Sequence, residues 1–132
     1  MSFKEIHIQT HKRSEMVDIS RTVSDFVSES VNEGIVVIYS PHTTAGITIN
    51  ENADPSVKSD MIKSLNKLIP YKDSYKHLEG NSDSHIKATL TGLSVTVPVS
   101  NGKMTLGTWQ GIYFCEYDGP RSRKFYLKAI SG

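Results

Sequence analysis

The sequence predicts a single α+β domain of mostly antiparallel β-sheet, or a β-sandwich, completed by two or three helices. The whole chain, residues 1–132, has the length of one domain. Residues 93–99 alternate strictly between apolar and polar side chains, as a half-buried strand does. Asn101-Gly102, shortly after them, is typical of a tight β-hairpin. Asp54-Pro55 precedes apolar residues at helical spacing, so helices accompany the strands.

Three strands are predicted in the first half of the chain. Residues 3–10 alternate in hydrophobicity, and residues 15–19 extend this strand after a turn. Residues 35–39 are a continuous, mostly β-branched run, which predicts a strand buried on both faces. Residues 44–50 alternate again, with every second residue from Ala45 facing the core.

Two amphipathic helices are predicted among these strands. Residues 20–33 carry an apolar stripe at helical spacing, with Ser20 as the N-cap and Gly34 as the C-terminal stop. The second helix begins at Asp54-Pro55, because an acidic cap followed by proline favours the first helical turn. Pro70 ends this helix.

The last third of the chain is predicted to be one short helix followed by strands. Ser82 or Asp83 caps the helix, which runs to Leu90. After residues 93–99 and the hairpin, residues 104–117 form a long return strand. Residues 124–130 form the final strand.

Composition excludes several classes of protein. Fifteen basic and fourteen acidic residues give a net charge of +1, so neither nucleic acid nor an anionic membrane surface is an expected partner. The single cysteine, Cys115, excludes an internal disulfide and is predicted to be a buried, inert thiol. The N-terminal residues lack an apolar signal region and no apolar run reaches transmembrane length, so we expect a cytoplasmic protein.

Residues 77–85 concentrate metal-binding groups in a loop rich in Gly, Asn and Ser, namely His77, Glu79, Asp83 and His85. Another histidine, His42, follows the apolar strand 35–39. Neutral imidazole and carboxylate are the usual ligands of zinc and related divalent ions. If the fold brings His42 next to this loop, the three histidines form an open metal site of the catalytic type.

Structural roles are equally compatible with these residues. The spacing of His77 and His85 differs from the i, i+4 helical spacing of zinc proteases. In the structural alternative, both histidine rings are solvated and Asp83, at the start of the third helix, complements the helix dipole. His42 alone would be a turn histidine, but the adjacent Thr43 and Thr44 suit a phosphate or another polar ligand.

Three polar residues follow the strand 44–50. Asp54 has a structural role as a helix cap, whereas Glu51 and Asn52 are less easily explained by structure alone. The strand places this group roughly 20 Å from His42, at ~3.3 Å per residue. Unless the segment bends, they can share a site with His42 only across a subunit boundary.

Arg121 and Arg123 follow the turn sequence Asp118-Gly-Pro. The guanidinium group donates hydrogen bonds in a fork that suits phosphate, so these residues are candidates for binding an anion. An ordinary solvated, charged turn is the alternative, and the spacing of the two arginines does not exclude it.

Taken together, these motifs resemble the YjbQ/YugU family, also described as secondary thiamine-phosphate synthases. The resemblance covers nearly the whole chain. The segments that carry it are residues 42–51, Asp54-Pro55, residues 77–88, residues 97–99, Asn101-Gly102, residues 106–112 and residues 118–123.

The resemblance implies a small YjbQ-like α+β domain that assembles as a homotrimer, with sites near subunit boundaries. It also implies a weak transferase activity that joins a pyrimidine methyl diphosphate to a thiazole phosphate and releases pyrophosphate. The positions that match the family, together with the neighbouring threonines, give the candidate residues. Catalytic roles are expected for His42, His77, His85, Glu51 and Asp54, and phosphate-binding roles for Thr43, Thr44, Asn52, Arg121 and Arg123.

The functional hypothesis is a metal-binding enzyme that acts on a phosphorylated small molecule. A divalent ion, zinc or magnesium, held by His42, His77 and His85 leaves one position open for a phosphate oxygen or water. Two alternatives remain open. One is a metal-dependent hydrolase of phosphate or ester bonds, and the other is a non-enzymatic, trimeric module that binds a metal or a small ligand.

Overall fold

Two antiparallel β-sheets and three helices make up residues 2–132, the part of the chain that the computed structural model describes. The elements are β1 (Phe3–Gln9), β2 (Glu15–Asp18), α1 (Ser20–Ser30), β3 (Gly34–Tyr39), β4 (Ala45–Glu51), α2 (Pro55–Leu68), α3 (Ser82–Thr91), β5 (Ser94–Ser100), β6 (Lys103–Met104), β7 (Gln110–Glu116) and β8 (Ser122–Ser131). The larger sheet has the order β1-β8-β3-β5-β6, and the smaller has the order β2-β7-β4. Every strand pair is antiparallel, which confirms the predicted α+β architecture.

The main hydrophobic core lies between the two sheets, and α1 packs against it. Val36 of β3 and Leu127 of β8 come from the larger sheet, while Ile47 of β4 and Phe114 of β7 come from the smaller one. These four side chains and Val23 of α1 are fully buried. Truncating a large aliphatic side chain at such a position costs about 2–5 kcal/mol, so this core holds the two sheets together.

The opposite face of the smaller sheet carries a second, smaller apolar cluster. Tyr113 and Cys115 of β7 form it with Met16 of β2 and Ala88 of α3, and Leu65 of α2 packs against it. Burial raises the pKa of Cys115 to about 12, which confirms the prediction of a buried, inert thiol. β7 therefore contributes to both clusters, because successive side chains of a strand point to opposite faces.

Two strand predictions are wrong about the partner strand. Residues 15–19 do not extend β1, because β2 pairs with β7 in the smaller sheet while β1 pairs with β8 in the larger. The predicted strand 104–117 is divided between the sheets, since β6 ends at Met104 and β7 begins at Gln110. Between them, the backbone N–H of Gly107 donates to Oε1 of Gln110 at 2.8 Å and closes a turn.

The strand that is buried on both faces is β7 rather than β3. In β3, Val36 and Ile38 are fully buried, but Ile35 and Val37 are only half-buried and Tyr39 is 44% exposed. In β7 every residue after Gln110 is buried. A run of β-branched residues is thus not sufficient to predict burial on both faces, because such residues also suit a strand with one half-exposed face, like β3.

The predicted caps of α1 and α3 are wrong, because Ile19 and Asn81 precede these helices without a side-chain capping hydrogen bond, while Ser20, Ser82 and Asp83 are already helical. The helix bounds themselves agree with the prediction except at the end of α1. This helix ends before Val31, which takes an extended φ of −153° and buries its side chain in the main core. Gly34 does not stop the helix but opens β3, where a Cβ would lie 2.0 Å from the carbonyl oxygen of Ile130. The start of α2 at Pro55 and the end of α3 at Gly92 are confirmed. Within residues 2–132, no helix is long and apolar enough to cross a membrane.

The predicted hairpin at Asn101-Gly102 is confirmed. Both residues have left-handed φ values, 52° and 72°, as a two-residue type I′ turn requires. The turn aligns Val99 with Met104 and thereby pairs β5 with β6 at the end of the larger sheet.

Candidate functional site

A polar cavity of about 390 Å³ lies where three segments of the chain meet. Residues 41–44 follow β3, residues 77–85 lead into α3, and residues 118–123 connect β7 with β8. We call this cavity the histidine pocket, and its lining consists of Pro41, His42, Thr43, Thr44, His77, Glu79, Asn81, His85, Asp118, Arg121 and Arg123. The three candidate histidines therefore meet the candidate threonines and arginines in one place.

His42 is held by a hydrogen bond from the backbone of β8. Its Nε2 accepts the N–H of Lys124 at 3.0 Å, and its ring packs edge-on against Phe114. Burial, followed by the nearby positive charge of Arg123, lowers the pKa of His42 below its usual value. The ring is therefore neutral near pH 7, and its single proton lies on Nδ1, since Nε2 is the acceptor. His42 can donate a hydrogen bond from Nδ1 to a ligand.

His77 and His85 form a pair in the same pocket. Their ring centroids lie 5.3 Å apart and their planes are nearly perpendicular, at 89°. His85 lies in the first turn of α3, as its position after the predicted cap implied, and His77 comes from the exposed loop before the helix. Neither ring makes a side-chain hydrogen bond with residues 2–132. Both imidazoles can therefore contact a ligand directly.

The three imidazoles do not complete a metal site within one subunit. A neutral imidazole has one nitrogen lone pair, and His42 already uses it to accept the N–H of Lys124. The described chain contains no group of three His, Cys, Asp or Glu side chains arranged to hold a metal ion. A divalent ion bound by His42, His77 and His85 thus stays a prediction, and the hydrogen bond on His42 counts against this ligand set.

An inner ion pair joins Arg123 to Glu116, and both side chains are buried. Arg123 donates from Nε to Oε1 of Glu116 and from Nη2 to Oγ1 of Thr44, each at 2.8 Å. Thr10 Oγ1 and the backbone N–H of Asp118 also donate to Glu116, at 2.8 and 2.9 Å. Burial raises the pKa of Glu116, but the hydrogen bonds, that from Arg123 first, outweigh it and hold the pKa below its usual value. Arg123 is thus largely committed to Glu116 and positions Thr44.

An outer ion pair joins Arg121 to Asp118. Arg121 donates from Nη2 to Oδ2 of Asp118 at 2.9 Å, and its side chain remains 51% exposed. Asn81 Nδ2 and Arg13 Nη1 donate to the same carboxylate at 2.7 and 3.2 Å. Burial raises the pKa of Asp118, but the bonds from Asn81 and Arg121 outweigh it and lower the pKa. Arg121 is the more accessible of the two candidate phosphate-binding arginines.

Asn81 and Asp118 line the pocket although the sequence had not identified them as site residues. Asp118 begins the turn before Arg121, and the sequence indicates only its role in that turn. Asn81 lies within the loop 77–85, and its position between His77 and His85 could have identified it as a site residue. Its Oδ1 is buried and receives no hydrogen bond from residues 2–132. This oxygen can accept a hydrogen bond from a ligand or a water molecule.

Glu51, Asn52 and Asp54 lie at the far end of β4 and do not line the histidine pocket. The backbone carbonyl of Glu51 accepts the Tyr113 hydroxyl at 3.0 Å, and Asn52 Nδ2 donates to Asp18 at 3.2 Å. Asp54 caps α2 by accepting the backbone N–H of Ser56 at 2.9 Å, as predicted. Catalytic roles for Glu51 and Asp54 and a phosphate-binding role for Asn52 stay predictions, and they require a second subunit.

Comparison with known proteins matches this fold to one family. The family model described as "UPF0047 protein YjbQ-like" matches residues 4–132. The UPF0047 protein MJ1081 of Methanocaldococcus jannaschii is 60% identical over 98% of this chain and 94% of its own length. YugU of Bacillus subtilis is 52% identical over 96% of this chain and 98% of its own length.

Solved structures of proteins of this family have the same fold. A YjbQ/UPF0047 protein of Clostridium acetobutylicum is 52% identical and superposes with a TM-score of 0.95, covering 96% of this chain and 99% of its own. A Sulfolobus solfataricus protein, described as YbjQ-like and of unknown function, is 32% identical with a TM-score of 0.94, over 98% and 96% of the two chains. The chain therefore belongs to the YjbQ-like UPF0047 family, as its motifs predicted.

Proposed function

We propose that the histidine pocket binds and transforms a phosphorylated small molecule, in a reaction that resembles thiamine-phosphate synthesis. One observation carries the proposal: three imidazoles, two guanidinium groups and two threonines line a single cavity of about 390 Å³. Its volume falls in the usual range for small-ligand sites, about 300–1,000 Å³. Imidazole and guanidinium N–H groups are strong donors to phosphate oxygens.

The binding mode follows from which donors are still available. His42 offers the N–H of Nδ1, because its Nε2 accepts the N–H of Lys124. Arg121 is half exposed and offers the guanidinium hydrogens that Asp118 does not use. His77 and His85 lie beside each other on the third side of the cavity. We infer that the phosphate group sits among these four side chains.

The same donors suit the release of a diphosphate. In the reaction that the family resemblance implies, the bond between the pyrimidine methylene carbon and the diphosphate oxygen breaks, and the ring nitrogen of the thiazole phosphate supplies the electron pair of the new bond to that carbon. The bonding electrons leave on pyrophosphate, whose charge increases as the bond breaks. Donors already positioned at those oxygens stabilise this charge, and removal of one such donor typically lowers the rate about 10²–10³-fold. The proposal places His42 and Arg121 in this role.

Assembly as a homotrimer is part of the proposal, because Glu51, Asn52 and Asp54 can act at a histidine pocket only from another subunit. The apolar side chains exposed on and around α2 and α3 support it. Leu68 is 72% exposed, Leu90 is 61% exposed, and Leu78 is fully exposed. Such a group of exposed apolar residues is typical of a surface that another protein covers. Light scattering coupled to gel filtration measures the mass of the assembly and tests this part separately.

The activity is tested by incubating the protein with a pyrimidine methyl diphosphate and a thiazole phosphate. Thiamine phosphate and pyrophosphate are measured for the wild type, for His85→Ala and for His7→Ala. His7 lies on β1 with its side chain 78% exposed and does not line the pocket, so His7→Ala is the matched control. We expect His85→Ala to lose most of the activity and His7→Ala to retain it. Equal rates for both variants would contradict the proposal.

Further assays separate the alternative functions. Release of inorganic phosphate from simple phosphoesters, without thiamine phosphate, would indicate a hydrolase. Retention of a co-purified ligand with no turnover would indicate a binding module. Elemental analysis of protein purified without chelator, compared with a His77→Ala/His85→Ala variant, tests the predicted zinc or magnesium independently of activity. Unchanged metal content in the variant would exclude these histidines as ligands.

A further inference from the structure

We propose that a second cavity, separate from the histidine pocket, binds the phosphate group of a small phosphate monoester. It has a volume of about 520 Å³, and we call it the lysine cavity. The residues that define its chemistry are Lys12, Arg13, Ser14, Asn66, Tyr71 and Lys87. No residue lines both cavities, so this proposal does not depend on the function of the histidine pocket.

Lys87 is the first reason for assigning a ligand to this cavity. The residue is only 1% exposed, although a buried ammonium group is costly unless its hydrogens find acceptors. Its Nζ donates to Oδ1 of Asn66 at 2.8 Å and to Oδ2 of Asp83 at 3.0 Å. An ammonium has three N–H groups, and the third has no acceptor within residues 2–132. An oxygen of a bound anion supplies that acceptor.

The charge of the lining is the second reason. Lys12, Arg13 and Lys87 contribute three cations, and Asp83 is the carboxylate among the lining residues. Arg13 also pairs with Asp118 at 3.2 Å, but Arg121 pairs with that same carboxylate at 2.9 Å. The positive charges around the lysine cavity are therefore not fully compensated. A phosphate monoester is dianionic near pH 7, and its charge matches this excess better than that of a single carboxylate.

The position of Arg13 is the third reason. Its guanidinium carbon lies 3.8 Å from the centre of the Tyr71 ring, a cation–π contact. Nη2 donates to Oδ1 of Asp83 at 3.1 Å and to Oγ of Ser84 at 3.3 Å. These contacts fix the side chain before any ligand binds, so little conformational entropy is lost on binding. Ser14 lines the same cavity and can donate its hydroxyl to a phosphate oxygen.

The proposal is tested by NMR titration of the full-length protein carrying Arg121→Ala, which weakens the proposed phosphate site in the histidine pocket. The probes are inorganic phosphate and glycerol phosphate, and the backbone amide signals report where each binds. We expect the amide signals of residues 12–14 and Asn66 to shift. Glycerol phosphate should bind more tightly than inorganic phosphate, because its organic group also enters the cavity. Tighter binding of inorganic phosphate would assign the site to the free ion rather than to a monoester and would overturn that part of the proposal.

Lys12 provides the decisive variant, because it is exposed and its side chain makes no hydrogen bond or ion pair with residues 2–132. Lys12→Ala should leave the fold intact and weaken phosphate binding about tenfold, the loss of one charge-assisted hydrogen bond. Lys72→Ala is the control, since Lys72 is exposed next to Tyr71 but does not line the cavity. The proposal fails if the two variants bind phosphate equally, or if only residues 42–44 and 118–123 shift.

Discussion

The inner and outer ion pairs of the histidine pocket use the same chemistry in different surroundings. Glu116 and Asp118 lie two positions apart, as do their partners Arg123 and Arg121. The side chains of the inner pair are 6% and 0% exposed, whereas Arg121 of the outer pair is 51% exposed. Arg123 also donates to Thr44, so its hydrogens are mostly used within the protein.

This difference separates a structural role from a binding role. A buried charge that loses its partner remains uncompensated, so the inner pair is needed for folding. In the outer pair only Arg121 is exposed, and without it the buried Asp118 keeps Arg13 and Asn81 as donors. The outer arginine can therefore turn towards a ligand at small cost. Four measurements on the two ion pairs and on His42 can test these roles, and they follow in order of expected effect.

Removing the arginine of the inner pair should have the largest effect. Arg123→Ala leaves the carboxylate of Glu116 buried without its main partner, and we expect the free energy of unfolding to fall by about 3–5 kcal/mol. Urea denaturation measures this loss. The double variant Arg123→Ala/Glu116→Gln should recover part of it, because no charge then remains unpaired. A loss as small as that of Arg121→Ala, under about 1 kcal/mol, would refute the distinction between the pairs.

Lowering the pH should weaken both ion pairs and decrease the free energy of unfolding. The pKa values of Glu116 and Asp118 are lowered from ordinary values of 4.5 and 3.8. Their contribution to stability is therefore complete above those values and is lost as the pH falls through the lower pKa of the folded state. Urea denaturation at a series of pH values should show this fall, and Glu116→Gln should make it shallower. Stability that is independent of pH in the acidic range would contradict the lowered pKa values.

Removing the arginine of the outer pair should affect binding more than stability. We expect Arg121→Ala to weaken binding of inorganic phosphate in the histidine pocket about tenfold, which corresponds to ~1.4 kcal/mol. NMR titration that follows the amides of residues 42–44 measures this change. Arg21→Ala, an exposed arginine on α1, is the control. An equal effect of the two variants would show that Arg121 does not bind the anion.

The smallest expected effect is the titration of His42. Its pKa is lowered from 6.5, so its imidazole signals should change with pH below that value. Because the folded state disfavours the protonated ring, the contribution of His42 to stability is complete above 6.5 and declines as the pH falls towards the folded-state pKa. NMR of the imidazole resonances measures the shift directly. A pKa above 6.5 would contradict the lowering of the pKa by burial and by the charge of Arg123.

The sequence predicted the fold better than it predicted which strands pair. Alternation in residues 93–99, the Asn101-Gly102 hairpin and the start at Pro55 depend on local chemistry, and all three are confirmed. The break in residues 104–117 was missed, because alternation records which residues face inward and not which sheet accepts them. The pattern of β3 was ambiguous for a related reason, since β-branched residues suit both a fully buried strand and a strand with one half-exposed face.

For the candidate site, residue type identified the groups but not their partners. His42, His77 and His85 were chosen as imidazoles near loops, and the fold brings them into one cavity. The sequence could not predict that Arg123 has a structural role and Arg121 a binding role, because the difference depends on how deeply each side chain is buried. A distance along a strand, by contrast, is a local property, and it correctly separated Glu51 and its neighbours from the pocket.

The double burial of β7 has a consequence for the order in which the protein opens. Its odd-numbered and even-numbered residues belong to different apolar clusters, so neither cluster can loosen without disturbing the strand that both share. Amide hydrogens of Ile112 and Phe114 should therefore exchange with solvent among the slowest in the molecule, in step with global unfolding. Glu116 ends this strand and Asp118 follows it closely. The carboxylates that hold both arginines are thus anchored to a segment that stays closed during partial opening.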